Sequence, residues 1–101
     1  MIKLKKGSLY KCISSVKIDY LIHWKAPCSS GGSGILLQNT VVEVNGKPPR
    51  HATAVYCKPL NYEEVEAQLI PETERNNEKY FGYSLVIDID IIKDHFDLVS
   101  E

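Results

Sequence analysis

At 101 residues the chain has room for one domain, and 44% apolar with 25% charged residues reads as an ordinary folded globule rather than a disordered chain. No stretch approaches the ~20 apolar residues of a membrane-crossing helix, so no membrane association is expected. Charge is divided along the chain. Residues 1–58 carry nine Lys and Arg against Asp19 and Glu43, a balance of +7, and residues 59–101 carry eleven acids against Arg75, Lys79 and Lys93, a balance of −8.

The opening Lys3, Lys5 and Lys6 have no apolar segment behind them, which argues against a secretory leader. Leu9 to Val16 reads as strand. From Lys17 to Lys25, Ile18, Tyr20, Ile22 and Trp24 alternate with polar residues and Leu21, the period of a strand with one buried face. The two segments form one bent strand or a hairpin about Ser14-Ser15. Ala26 to Gly34, rich in Ser and Gly, reads as a flexible loop. Ile35 to Val44 returns to strand. Asn45-Gly46 marks a turn, lengthened by Pro48-Pro49, and His51 to Cys57 reads as strand.

Pro59 closes that strand. Asn61 and Glu64 stand at capping-box spacing, and Tyr62, Val65 and Leu69 share one face, so a short helix is expected over 61–70. Glu72 to Glu78 reads as polar linker. Tyr80 to Ile89 alternates most cleanly, with Phe81, Tyr83, Leu85 and Ile87 expected inward. Asp90 to Asp94 suits a helical turn and Phe96 to Val99 a final strand.

Five or six short strands with one inserted helix must curl to protect their edges, so the expected fold is a single mostly-β domain, a small barrel over residues 1–101. The opening Lys6-Gly7-Ser8-Leu9-Tyr10-Lys11-Cys12 and the ending Asp90 to Val99 resemble small Src-homology-type barrel proteins of bacteria and phages. That resemblance implies a surface-binding module. The acidic and aromatic pattern of a proline-rich-peptide groove is not recognisable.

Metal binding and catalysis are weighed first. Cys12, Cys28 and Cys57 match no disulfide framework and suit a reducing cytoplasm. His23 with Cys28, and His51 with Cys57, are the residue types of a zinc site, but extended strand would hold His51 and Cys57 ~20 Å apart. No metal and no cofactor are expected. Cys28 lacks any signature of a catalytic cysteine, and Ser29 to Gly34 lacks the Lys and following helix of a phosphate loop. No two carboxylates stand in an apolar setting that would set their pKa values apart, so no enzyme is expected.

What remains is charge. Lys5, Lys11 and Lys17, with Trp24 interleaved, suit a nucleic-acid face, though the pI of 6.3 is low for such a protein. Glu63, Glu64 and Glu66 suit a steering surface for a protein. The expected function is a non-catalytic domain that binds a protein. The alternatives are a nucleic-acid-binding barrel and an inhibitor from a phage or mobile element that meets a host nucleic-acid enzyme through its acids. Nothing in the sequence sets the assembly state.

Overall fold

The computed structural model describes residues 4–25, 29–46 and 53–100. In chain order the elements are β1 (Leu9–Cys12), β2 (Val16–Trp24), β3 (Ser29–Leu36), β4 (Val41–Gly46), β5 (Ala54–Pro59), α1 (Tyr62–Leu69), α2 (Glu72–Arg75), β6 (Tyr80–Asp88), α3 (Ile89–His95) and β7 (Phe96–Ser100). The strands form one seven-stranded sheet in the order β3-β2-β6-β5-β4-β1-β7, and every ladder is antiparallel. Among the described residues no helix is long and apolar enough to cross a membrane.

The mostly-β class stands, with two corrections to its detail. The strand order ends at β3 and β7, and the sheet is not closed into the expected barrel. Among the described residues α2 is the addition, a short helix inside the segment read as polar linker, while α3 covers the helical turn expected over Asp90 to Asp94. The inserted helix falls where its apolar spacing places it. Val65 is fully buried, Tyr62 and Leu69 are partly buried against the core, and Pro71 follows the end. The capping box does not form: Asn61 Nδ2 donates to Glu64 Oε2 at 3.1 Å instead of the pair capping the backbone. Asp88, not Asp90, caps α3 by accepting from the Asp90 backbone N–H at 2.9 Å.

The first two strands form neither the single bent strand nor the hairpin that their sequence left open. β1 pairs with β4 and β7, whereas β2 pairs with β3 and β6. A tight turn at Ser14-Ser15 would have paired β1 with β2. β1 ends at Cys12 and β2 begins at Val16, four ladders away in the strand order, and so few residues can join them only because the sheet curls round to bring the two strands near one another. Where the chain leaves β1, the backbone N–H of Ile13 donates to the His95 carbonyl at 2.8 Å.

The largest correction concerns the Ser/Gly run. Residues 29–34 belong to β3, and residues 26–28 lie outside the described residues. β3 runs against β2 from Val16↔Leu36 to His23↔Ser29 without a register shift. Its glycines give backbone freedom that opposes ordering, yet two of them are covered by large side chains. Gly32 sits directly opposite Tyr20, and a Cβ there would lie 2.5 Å from the Tyr20 Cζ. A Cβ on Gly34 would lie 2.6 Å from Leu69 Cδ2 of α1. The two glycines let a buried aromatic and a helix come down onto the strand.

The core fills the face shared by Ile18, Tyr20 and Ile22 of β2, Tyr83, Leu85 and Ile87 of β6, Val55 and Cys57 of β5, and Val42 and Val44 of β4. The alternation of β2 and most of β6 is realised as read. Leu85→Ala should therefore cost about 2–5 kcal/mol, measured by denaturant unfolding. Gly32→Ala should cost about 1–3 kcal/mol, because the Tyr20 ring is buried and has to move. Gly31→Ala, whose added Cβ meets only ordinary contacts at 3.7 and 3.9 Å, should change stability by less than about 0.5 kcal/mol.

Candidate functional site

β6 departs from its alternation at one point. Trp24 pairs with Tyr80 and His23 with Gly82, so Phe81 is an extra residue opposite β2, a β-bulge. Gly82 takes φ 152°, where a side chain is strained, and a Cβ would also meet Tyr62 Oη at 2.8 Å. The bulge turns Phe81 outward, and it is 75% exposed, the most exposed large apolar residue described. The sequence pattern placed Phe81 inside. A glycine within the strand was the available sign of the bulge.

Phe81 lies at the rim of a small depression of about 210 Å³, lined also by His23, Asn45, Lys58, Tyr62, Gly82, Tyr83 and Ser84. The depression exists because β5 ladders with β6 only as far as Cys57↔Leu85. The backbone N–H of Tyr83 donates to Tyr62 Oη at 3.1 Å, and Tyr83 Oη donates to the Tyr62 carbonyl at 2.7 Å. The two rings stack with centroids 4.5 Å apart. Lys58 Nζ sits 5.4 Å from the Tyr62 ring centre, a cation–π contact. His23 Nε2 and Ser84 Oγ are 2.9 Å apart. A rigid aromatic thus stands beside a cation, an imidazole and a hydroxyl.

The tyrosines behind this patch are structural. Tyr80 Oη donates to Glu66 Oε2 at 2.6 Å, and its ring meets Trp24 edge-on at 6.1 Å. Burial raises the hydroxyl pKa values of Tyr83 and Tyr80, and at Tyr80 the Glu66 carboxylate adds to the rise by bonding the protonated form. Burial also raises Tyr62, opposed by the N–H of Tyr83.

The residues expected to bind a partner are dispersed. Glu63 and Glu64 are exposed in the first turn of α1. Glu66 turns inward to Tyr80. Lys5 and Lys11 are exposed near and on β1, and Lys17 is exposed on β2, a strand that does not pair with β1. Trp24 is half-buried, and its Nε1 donates to Ser30 Oγ at 3.0 Å, so its ring is not free to stack on a base. The two chain halves do not make two charged faces. β6 inserts between β2 and β5, and β7 joins β1 with Asp97 opposite Lys11.

The remaining expectations concern metal and thiol chemistry. Cys28 and His51 lie outside the described residues. Cys12 and Cys57 are buried and unpaired. Burial pushes the Cys57 thiol up to about 12 and raises Cys12 as well, which makes both poor nucleophiles. On the outer face, a wider groove of about 450 Å³ is lined by Asp19, Leu21, Tyr56, Val86 and Asp88, among others. Asp88 is occupied there as the cap of α3.

Comparison of the chain with protein-family models, with curated proteins and with solved structures finds no match.

The raised tyrosines set a pH dependence. An unfolded tyrosine loses its proton near 10, while folded Tyr80 and Tyr83 hold theirs to higher pH. Their contribution is therefore complete below about pH 10 and is lost as pH rises beyond it. Urea midpoints should fall between about pH 9 and about pH 11, and Tyr80→Phe should flatten that fall.

Proposed function

We propose that this chain is a non-catalytic binding domain that recognises a protein partner, with Phe81 as the anchor of the contact. The observation that carries the reading is the bulge at Gly82, which holds a large aromatic in solvent on an otherwise core-forming strand. Bulges re-aim side chains at functional sites. Aromatic anchors dominate the energy of protein interfaces. Lys58 and His23 beside Phe81 favour an acidic or hydrogen-bond-accepting surface on the partner. The exposed Glu63 and Glu64 act as rim charges that set encounter rate rather than affinity.

The buried, raised thiols of Cys12 and Cys57 weigh against nucleophilic catalysis and suit a reducing cytoplasm. The nucleic-acid alternative is weakened by the half-buried Trp24, whose Nε1 is taken by Ser30 Oγ, and by Asp97, which stands opposite Lys11.

The test is affinity capture from the source organism with wild-type and Phe81→Ala bait, beside an electrophoretic shift with short oligonucleotides at low salt. The reading expects a protein held by wild type and lost with Phe81→Ala, at a cost of about 2 kcal/mol or more. Unfolding of Phe81→Ala should match wild type within about 0.5 kcal/mol, because the side chain is exposed. Capture that survives Phe81→Ala removes the anchor, and a tight, salt-sensitive oligonucleotide shift replaces the protein partner with nucleic acid.

A further inference from the structure

The sheet has two edges, and they are built differently. β7 is five residues long, carries Asp97, and pairs with β1 through a register shift between Leu9 and Tyr10. Shortness, charge and irregular pairing are the usual protections of an edge strand. β3 has none of them. It is eight residues long, carries no charge and no proline, and pairs with β2 without a shift. Among the described residues no strand pairs with its outer side, whose backbone N–H and C=O groups can therefore take an extended strand.

One residue in it is bare for no reason the monomer supplies. Gly32 and Gly34 are accounted for, since Tyr20 and Leu69 occupy the space of their side chains. Gly31 is not. A Cβ there would make only ordinary contacts, 3.7 Å from the Tyr20 carbonyl oxygen and 3.9 Å from Leu21 Cδ2, and its φ is not in the positive region. Its side chain would point to the exposed face with those of Ser29, Ser33 and Ile35. The edge is kept small and neutral beyond what its own fold requires.

We propose that β3 is the pairing edge for a second copy of this chain, joined antiparallel about a two-fold axis so that one sheet runs through both copies. A two-fold contact presents the same strand to itself, so any charge on that strand would meet its own image. β3 has none to oppose, and the formal net charge of the whole chain is only −1. With the axis at Gly32, Ser29 faces Ile35 of the second copy and Gly31 faces Ser33. A shift of two residues keeps the pairing equally neutral. Asp19, opposite Ser33 on β2, stays three strand spacings from its counterpart, roughly 14 Å, beyond the screening length at physiological salt.

This contact is separate from the Phe81 patch and is tested separately. Sedimentation equilibrium of wild type across the micromolar to millimolar range should give a monomer–dimer equilibrium. The double variant Gly31→Lys with Ser33→Lys opposes like charges across the axis and should weaken the dimer about tenfold or more. Phe81→Ala should leave the dimer unchanged. Thermal unfolding checks that the double variant is folded, and Ser29→Lys with Ile35→Lys, two exposed positions that face one another across the same axis, replaces it if it is not. Amide exchange should slow in β3 as wild-type concentration rises. A wild type that stays monomeric at every concentration overturns the proposal and leaves the edge to a strand from another protein. A dimer that survives the lysine changes in a folded variant overturns it equally.

Discussion

The contact of the Tyr20 ring with Gly32 is the constraint on which the architecture rests. A strand made almost entirely of Ser and Gly has little of its own to bury. It is held because its neighbour supplies the bulk: Tyr20 fills the space above Gly32, and Leu69 of α1 fills that above Gly34. The helix closes over the core beside β3, where nothing projects. A side chain at Gly32 would displace the buried aromatic, while one at Gly34 would require only that the tip of the Leu69 side chain turn aside. Backbone freedom, a liability in the unfolded chain, becomes the condition for close approach.

The same logic governs the other end of α1. Gly82 gives the room into which Tyr62 Oη descends, and that hydroxyl takes the place of the missing β5 neighbour for the Tyr83 N–H. Tyr62, Tyr83, Tyr80 and Glu66 then bind helix to strand by paired hydrogen bonds. The tyrosine hydroxyls are satisfied inside the fold, and Phe81 is left exposed beside Lys58, which lies over the Tyr62 ring, and His23, which is hydrogen-bonded to Ser84. Packing and the candidate site are therefore two sides of one bulge.

Much of this was legible in the chain. The alternation of Ile18, Tyr20 and Ile22 and of Tyr83, Leu85 and Ile87 located the two central strands. The spacing of Tyr62, Val65 and Leu69 located the helix. The failures share a cause, which is tertiary cover that local patterning does not contain. Ser29 to Gly34 looks like a loop until Tyr20 and Leu69 are seen to lie on it. Phe81 looks like core until Gly82 shifts the register. Pairing partners were invisible as well. The divided charge of the chain implied two opposed faces, and the strand order mixes the halves instead. Of the candidate site, the residue types were present in the reading but not their juxtaposition, because His23, Lys58 and Phe81 come from three strands.

The place of β6 has a consequence for how the protein is made. β2 and β5, both complete by residue 59, do not pair. β6 lies between them and is completed only at Asp88. While the chain emerges from the ribosome, β2 with β3, and β4 with β5, can each form as local ladders. The two pieces have no strand to join them until residues 80–88 have been synthesised. Joining of the two pieces is thus withheld until residues 80–88 have emerged, and β2 spends that interval with one apolar face and one side of its backbone uncovered. Late, non-local closure of this kind is slow and exposes the nascent chain to aggregation. Shielding the uncovered β2 is the task that a chaperone, or simply fast synthesis of residues 60–88, would have to perform.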